Sequence, residues 1–425
     1  MQVNQGVDVV IVGGGVSGLA CAITLKKAGI NPLILEASSR TGGRIASDTI
    51  SGYRIDRGFQ ILLSAYPEVQ RFLNMDALEL GRFRKGARIW TGTQWRNFFD
   101  PRSAPLSALP SIFDRSIFSV RDRLLLLKLW RDLSKKKSME SIIGSENRRT
   151  SQALSDMGFS ERSIKFFFEP FLGGVFLEPK LHTSEKMFRF VMSMFINGHA
   201  CLPRGGMKNI PEQLTMELGL EHIRCETEVV ACEVDKGAAS TSHGVTYLPK
   251  ALVLAVNAQQ AHQLLPERVP SIPFNHTRCL VFGARKVYTQ DFLDKTLRLV
   301  ADPESPIQVI ASPSCVAPGY APSEHEQIVV TLKEGKDSNA SHATVMEALE
   351  SIFDKSVQHW HLITEYSIPQ ALPRQLPADM REISHYKKLG ERTWACGDYL
   401  DTRSLNGALA SGRLLAERLI EELKS

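Results

Sequence analysis

The chain has 425 residues, of which 43% are hydrophobic and 23% are charged, and its net charge is +5. These shares are typical of an ordinary globular protein, and the length predicts two or three domains. The charge is too small to indicate nucleic-acid binding, which needs a strongly basic surface. Seven cysteines lie scattered without a Cys-x-x-Cys pair. They predict a reducing compartment, with no disulfide framework and no metal site.

Signals for export or for a membrane span are also missing from the sequence pattern. The first apolar strand is predicted to begin at Val7, and no run approaches the roughly 18 apolar residues of a spanning helix. We therefore expect no signal or transit peptide, no spanning helix and a cytoplasmic protein.

The amino-terminal segment has the pattern of a strand followed by a glycine-rich turn. Residues Val7 to Val12 are apolar and mostly β-branched, which predicts a buried parallel strand. Gly13, Gly15 and Gly18 follow with the spacing G-x-G-x-x-G. In that spacing the first glycine permits a tight turn, and the second lets the backbone approach a pyrophosphate. The third lets the next helix pack closely on the strand.

A helix and a second strand extend this pattern. The helix is predicted from Val16 to Ala28, so Val16 and Ser17 present amide groups and a partial positive charge to phosphates. The second strand, Pro32–Leu35, ends at Glu36, an acid that can accept hydrogen bonds from an adenosine ribose. Strand, turn, helix, strand and acid together predict a bound dinucleotide.

The next loop indicates which dinucleotide is bound. Residues 36–44 read EASSRTGGR, with Ala37 and Gly43 among them. They resemble the E-A-x-x-R-x-G-G-R segment of the flavin amine oxidase superfamily, which includes monoamine and polyamine oxidases, protoporphyrinogen oxidase and carotenoid desaturases. Arg40 and Arg44 are expected to bring positive charge to a second side of the pyrophosphate. The resemblance implies FAD.

The carboxyl-terminal segment resembles the closing segment of the same superfamily. Residues 393–419 read as a strand that ends in Gly397 and Asp398, followed by a helix. The resemblance implies that Asp398 faces the ribityl or pyrophosphate region. It also implies that the amide groups of Leu405 and Asn406 face the flavin N1–C2 carbonyl edge, where negative charge gathers when the flavin is reduced.

Shorter matches lie between these two ends, in the order that the superfamily has them. The stretch GYRIDRGFQIL resembles the segment that passes the flavin ring, with Gly58 and Phe59 in close approach. CETEVVACEV resembles the strand whose Val229 pairs with adenine through its backbone, and LPRGGMKNIPEQL resembles a turn into a helix. No cysteine stands in the segment before the last strand, which implies non-covalent FAD.

These matches predict an α/β fold with a discontinuous Rossmann-like FAD-binding domain and an interleaved α+β substrate domain. The FAD-binding domain is predicted to comprise residues 1–80, 201–260 and 388–425. The substrate domain is predicted to comprise residues 81–200, mostly helical, and residues 261–387, an antiparallel sheet with helical insertions. The predicted elements of the second part are strands at Thr277–Val287, Leu297–Ala301, Ile307–Ala311 and Gln327–Leu332 and a helix near Ala340–Asp354.

The sequence between the cofactor segments bears on the substrate. Amine oxidases of the superfamily often carry a lysine on a strand near flavin N5 and an aromatic residue just before the last helix. The serine Ser404 stands at the aromatic position, and Arg278 stands at or near the lysine position, with Lys286 further along the same predicted strand. A serine cannot supply an aromatic wall. The Phe-rich residues 164–188 instead resemble a segment of protoporphyrinogen oxidases and carotenoid desaturase-like proteins, although such side chains are also typical of a core.

The sequence therefore predicts an FAD-dependent enzyme that dehydrogenates a large apolar small-molecule substrate of porphyrinogen or carotenoid type, by hydride transfer to flavin N5. Oxygen, a quinone or another carrier would reoxidise the flavin. Three alternatives remain open: a flavin amine oxidase with an atypical cage, an isomerase that uses reduced flavin, and a protein whose flavin is structural. No residue is predicted as a catalytic base, and the sequence gives no oligomeric state.

A basic helix is predicted within residues 121–137, which carry seven basic and two acidic side chains. Leu126, Leu129, Trp130 and Leu133 recur at the spacing of one helix face. Such a helix is either packed on the second domain or in peripheral contact with an anionic membrane, where lipophilic substrates dissolve.

Overall fold

The computed structural model describes residues 2–3, 6–100, 115–135, 142, 147–289, 292–380 and 383–424. The strands of this part are β1 Gln2–Val3, β2 Val9–Val12, β3 Pro32–Leu35, β4 Ser47–Ile50, β5 Tyr53–Asp56, β6 Leu62–Leu63, β7 Gly81–Arg82, β8 Gly86–Trp90, β9 Trp95–Phe99, β10 Ala200–Leu202, β11 Ile223–Arg224, β12 Val229–Glu233, β13 Ala238–Thr241, β14 Thr246–Tyr247, β15 Ala251–Leu254, β16 Phe274–Arg285, β17 Leu297–Val300, β18 Ile307–Ala311, β19 His325–Leu332, β20 His361–Pro373, β21 Tyr386–Lys388 and β22 Thr393–Cys396.

The α-helices of the described part surround these strands. They are α1 Val16–Lys27, α2 Pro67–Phe72, α3 Val120–Ser134, α4 Thr150–Asp156, α5 Glu161–Ser163, α6 Glu169–Phe176, α7 Glu185–Asn197, α8 Asn209–Leu218, α9 Ala258–Leu264, α10 Pro313–Val316, α11 His342–Phe353 and α12 Leu405–Lys424. A π-helical turn, Ile164–Phe168, joins α5 to α6.

The first of two large sheets has six strands in the order β11-β3-β2-β15-β22-β21. Its strands are parallel except for β21, which pairs antiparallel with β22. The side chains of β2, β3, β15 and β22 are all buried, because both faces of the sheet are covered. Helices α1 and α12 pack on one side, and Gly412 permits their contact, since a Cβ there would lie 2.1 Å from the Ser17 carbonyl oxygen.

The second large sheet has seven strands in the order β20-β16-β19-β18-β17-β8-β9. All of its neighbouring pairs are antiparallel except β17 with β8. Alternate side chains of its central strands, including Leu280 and Val330, share a core with Val345 and Leu349 of α11. Side chains of the opposite face, such as Val309, join the core that contains α6 and α7.

The observed elements confirm most of the predicted ones, with ends shifted by a few residues. In residues 81–200, which the sequence predicts as mostly helical, residues 81–99 instead hold the strands β7, β8 and β9, and the described helices of this segment begin at Val120. The six-stranded sheet takes its strands from three separate parts of the chain, in keeping with a discontinuous domain, while the exact domain bounds stay a prediction.

Two kinds of feature are absent from the part of the chain that the structure describes. No helix among them is long and apolar enough to cross a membrane. No group of three or more His, Cys, Asp or Glu side chains among them is placed to hold a metal ion.

Candidate active site and cofactor cavity

A cavity of about 1190 Å³ opens at the carboxyl ends of β2 and β3 and extends toward the seven-stranded sheet. Ligands of open α/β sheets bind at this edge. The cavity brings together fifteen of the seventeen residues that the sequence predicts to bind the cofactor. They are Gly13, Gly15, Val16, Ser17, Glu36, Ala37, Arg40, Gly43, Arg44, Gly58, Phe59, Val229, Gly397, Asp398 and Leu405.

The glycines of the first turn have the surroundings that their predicted roles require. Gly13 has a φ of +106°, and a Cβ there would lie 2.9 Å from the carbonyl oxygen of Ala255. A Cβ on Gly18, which does not line the cavity, would lie 2.1 Å from the Gly13 carbonyl oxygen, so this glycine serves packing. At Gly15 a Cβ would have no protein atom within 4 Å, so the backbone faces the cavity.

The amino terminus of α1 offers hydrogen-bond donors to this cavity. Gly15 is the N-cap residue, and no side chain caps the helix there. The first amide groups of a helix have no partner within the helix, and they attract anions. Ser17 lines the cavity as well, and its buried Oγ has no hydrogen-bond partner. This end of the cavity therefore fits a pyrophosphate.

Glu36 connects the first turn to the second loop. Its Oε2 accepts a hydrogen bond from the Gly14 amide at 2.7 Å, and its Oε1 accepts one from the Ser38 amide at 2.9 Å. Arg40 donates to the carbonyl oxygens of Thr41 and Gly43, so its contacts brace its own loop rather than reach across the cavity. Burial lowers the pKa of Arg40.

Arg44 connects the second loop to the carboxyl-terminal segment. Its Nη2 lies 2.7 Å from Oδ1 of Asp398, a carboxylate that is itself buried. Just beyond, the Ser404 Oγ accepts a hydrogen bond from the Gly407 amide at 3.1 Å and so caps α12. The side chain of Asn406 does not line the cavity, because its Oδ1 accepts from the Glu68 amide at 3.0 Å. Only the backbone amide of Asn406 is therefore available to face the flavin N1–C2 carbonyl edge, which is the role that the sequence predicts.

The inner end of the cavity is apolar. Helices α6 and α7 contribute one wall, and β6, β17 and β18 contribute others. The side chains that form these walls are Leu63, Phe171, Val175, Met187, Val191, Phe195, Leu297 and Val309. The Phe-rich segment therefore contributes both to the core and to the pocket wall. Phe167 and Phe168 are buried in the core, while Phe171 lines the cavity.

Arg278, at or near the lysine position of the resemblance, does not line the cavity. Its Nε and Nη2 donate to the carboxylate of Glu365, and its Nη1 donates to the carbonyl oxygens of Ser338 and Ala340. The neighbouring Thr277 lines the cavity instead. Successive side chains of a strand point to opposite faces, so Thr277 and Arg278 point to opposite sides of the sheet.

An aromatic side chain does lie beside Ser404, although it comes from another part of the chain. Tyr66, just before α2, lines the cavity. Burial raises the pKa of its hydroxyl group, and a hydrogen bond with Ser404 partly offsets this increase. Its ring stacks on Phe190 with the centroids 5.9 Å apart. Sequence reasoning missed Tyr66 because no local pattern connects it to the last helix.

A second tyrosine lines the cavity within a charged network. The Tyr366 hydroxyl donates to Asp48 at 2.7 Å, and Arg57 binds the same carboxylate with two hydrogen bonds of 2.9 Å. The hydrogen bonds from Arg57 lower the pKa of Asp48. The carboxylate is therefore held as a partner of Arg57.

The geometry defines a class of protein: an α/β protein with a dinucleotide cavity that continues into an apolar pocket. The chain matches the family model for flavin containing amine oxidoreductases over residues 16–420, and it belongs to that family. The family is one of flavin-dependent oxidoreductases, and the cofactor of this chain is FAD. No cysteine occurs among the described lining residues, in keeping with non-covalent binding.

Individual relatives differ in their chemistry. The chain is 25% identical over 279 residues to protoporphyrinogen oxidase 2 of Arabidopsis thaliana, an alignment that covers 56% of this chain and 53% of that protein. The chain thus spans about half the length of this curated relative. It is 23% identical to a phytoene desaturase of Fusarium fujikuroi, with 83% of this chain and 71% of that protein covered.

The fold is also that of solved structures. A putrescine oxidase bound to putrescine superposes with a TM-score of 0.73 at 17% identity and covers 99% of both chains.

Proposed function

We propose that the enzyme dehydrogenates a large apolar molecule of porphyrinogen or carotenoid type. The observation that supports this proposal is the apolar inner end of the cavity, where Phe171, Val191 and Phe195 meet Val309 of the seven-stranded sheet. When bound, FAD supplies the two-electron acceptor for such a reaction. The walls bind the substrate through apolar surface and exclude water from it.

The charges along the cavity support the same substrate class. Four carboxylates line it: Glu36, Asp48, Glu228 and Asp398. The first accepts backbone amide hydrogen bonds and the second and fourth are paired with arginines, while Glu228 adjoins Val229 at the predicted adenine end. Among the described residues, no carboxylate remains at the inner end to bind an ammonium group, and burying an unpaired cation there would be unfavourable.

The test follows the visible flavin band of purified holoenzyme, without oxygen, as donors are added. A porphyrinogen and a carotenoid precursor in detergent are compared with primary and secondary amines. We expect bleaching by an apolar donor only. Phe195→Gln should slow this bleaching at least about tenfold because it places a polar group in the pocket. Ile196→Gln, a neighbouring position that does not line the cavity, is the matched control.

A flavin amine oxidase is the second candidate. The family membership and the two tyrosines of the cavity, Tyr66 and Tyr366, favour it, since aromatic faces attract cations. Bleaching by amines alone would overturn the apolar proposal and assign this activity. If no donor bleaches the flavin, the reading with a structural flavin gains support.

We further propose that α3 contacts an anionic membrane from which the substrate enters. Leu129 and Leu133 of α3 are buried, but Val120, Leu124 and Leu127 are 54%, 63% and 63% exposed. These three side chains share one face, which we call the exposed α3 stripe. The basic side chains Arg121, Lys128, Arg131 and Lys135 are exposed as well.

The position of α3 connects the exposed α3 stripe to the pocket. Helix α3 packs on α7, and the Ser193 Oγ donates to the carbonyl oxygen of Leu133 at 3.2 Å. Met187, Val191 and Phe195 of the same α7 line the cavity. A lipophilic substrate at the stripe would therefore be one helix away from the apolar end of the cavity.

Co-sedimentation with vesicles tests this contact. We expect the protein to bind phosphatidylglycerol vesicles and to bind pure phosphatidylcholine vesicles only weakly. Each basic residue near an anionic membrane surface contributes about 1 kcal/mol to the binding free energy. Leu124→Glu combined with Leu127→Glu should abolish binding. Met216→Glu combined with Leu220→Glu adds the same charge at other exposed apolar positions and should leave it intact. Equal binding by both double variants would contradict the proposal.

A further inference from the structure

Two buried polar side chains that line the cavity lack partners. Arg403 is 5% exposed, and its Nε and Nη1 donate no hydrogen bond. Gln375 is 3% exposed, and its Oε1 accepts none. Both line the cavity beside Ser404 and Leu405 at the start of α12. Leaving such groups unpaired is costly, so the arrangement points to a ligand that supplies an acceptor and a donor.

The carboxylates around Arg403 do not neutralise it. The Asp379 Oδ2 lies 3.8 Å from its Nη1, but the same carboxylate accepts hydrogen bonds from Arg374 Nε at 3.1 Å and from the Leu376 amide at 3.0 Å. Two arginines thus share one acid, and Asp398 is paired with Arg44. The remaining contact of the guanidinium is from Nη2 to the Asp379 carbonyl oxygen at 3.1 Å. Positive charge therefore remains at the cavity wall.

We propose that Arg403 and Gln375 bind the pyrimidine edge of FAD, with Arg403 donating to the C2 carbonyl oxygen and Gln375 accepting from N3–H. That edge presents an acceptor and a donor on neighbouring ring atoms, which complements the two unpaired groups. A substrate carboxylate would satisfy the guanidinium but would leave the amide oxygen of Gln375 without a donor.

The consequence is a shift of the flavin potential. Uptake of two electrons and one proton converts FAD to its anionic reduced form, with the negative charge on the N1–C2 carbonyl edge. A cation at this edge stabilises the reduced form more than the oxidised form. Arg403 would therefore raise the midpoint potential, together with the amide groups at the start of α12.

The experiment measures the two-electron midpoint potential of holoenzyme against a reference dye. Arg403→Gln should disfavour the reduced form at least about tenfold, a fall of about 30 mV. Arg403→Lys should restore most of the loss. Arg392→Gln, which changes an exposed arginine that does not line the cavity, should leave the potential unchanged. Gln375→Met should raise the dissociation constant of FAD about fivefold.

An unchanged potential in Arg403→Gln with full FAD content would overturn the proposal. So would an unchanged potential together with a raised KM for acidic substrates, which would assign the guanidinium to the substrate. If Arg403→Gln does not fold, Gln375→Met decides, and an unaltered FAD dissociation constant overturns the proposal. No substrate enters the potential measurement, so its outcome is independent of the proposed substrate class.

Discussion

Two glycines only three residues apart illustrate how differently single positions of the first turn contribute. A Cβ on Gly15 would project toward the cavity, whereas one on Gly18 would meet the Gly13 carbonyl oxygen. We expect Gly15→Val to reduce FAD retention at least about tenfold while the free energy of unfolding of the apoprotein changes by less than about 0.5 kcal/mol. Gly18→Ala should instead lower that free energy by about 1–3 kcal/mol.

Flavin absorbance per protein and urea unfolding of the two apoproteins separate these effects. Equal losses of stability in both variants would contradict the assignment of Gly15 to the cofactor.

Glu36 is the predicted partner of the adenosine ribose. Its carboxylate joins the first turn to the second loop, and its charge suits a pair of ribose hydroxyl groups. Glu36→Ala should raise the FAD dissociation constant about 10- to 100-fold, since hydrogen bonds to charged groups contribute about 1.5–3 kcal/mol each. The measurement is equilibrium titration of apoprotein with FAD. Ser39→Ala, on the same loop but outside the cavity lining, is the control and should bind normally.

The limits of sequence reasoning are also visible at single residues. The position of Gly13, Gly15 and Glu36 at the cavity could be predicted because it follows from a local strand, turn and helix pattern. Arg278 could not, since a shift of one residue moves a strand side chain to the opposite face. Tyr66 and Gln375 enter the cavity from distant parts of the chain, and nothing in their neighbourhood signals this.

Among the elements, α3 depends on a capping network that also ties it to α5. Asp122 accepts hydrogen bonds from the Ser119 amide and hydroxyl, from the Ser160 amide and hydroxyl, and from the Ser163 hydroxyl. Burial alone raises the pKa of Asp122, but the hydrogen bonds from Ser119 and Ser160 outweigh burial, and the resulting pKa lies below the usual value. The ionised form therefore stabilises the fold.

The lowered pKa of Asp122 in the folded protein determines how the stability of Asp122→Asn depends on pH. The stabilisation by Asp122 is complete above the unfolded pKa of about 4 and is lost as the pH falls through the lower folded pKa. The variant should be about 1–3 kcal/mol less stable than the parent at pH near 7 and near 5, and the difference should narrow below pH about 4. Urea unfolding at each pH measures it. Asp132→Asn, exposed on the same helix, should show no such difference.

Strands β8 and β9 were not predicted from the sequence, and this failure has a physical reason. Strands β8 and β9 form a hairpin at the edge of the seven-stranded sheet, and residues 81–99 are rich in arginine. Charged side chains are typical of edge strands but hide the alternation that predicts a strand. The central strands β16 to β19 are apolar and were predictable within a few residues.

At the level of the whole molecule, the cavity is built from segments that are far apart in the sequence. Its cofactor end combines the first turn, the loop of Glu36, the strand of Val229 and the start of α12, and its inner end adds α6, α7 and the second sheet. Contacts between these segments, such as the Arg44–Asp398 pair, join parts separated by 354 residues. A ligand that touches all of them adds its binding energy to the folded state only.

Removal of FAD should therefore lower the melting temperature of the whole chain. At a free concentration one hundred times its dissociation constant, FAD should stabilise the protein by about 2.7 kcal/mol. Flavin mononucleotide at the same concentration should restore less, because it lacks the adenosine half that we predict to face Glu36 and Val229. Differential scanning calorimetry of apoprotein, FAD-loaded and FMN-loaded protein provides the comparison. Equal melting temperatures for FAD and FMN would mean that the adenosine end contributes nothing, contrary to the roles assigned to Glu36 and Val229.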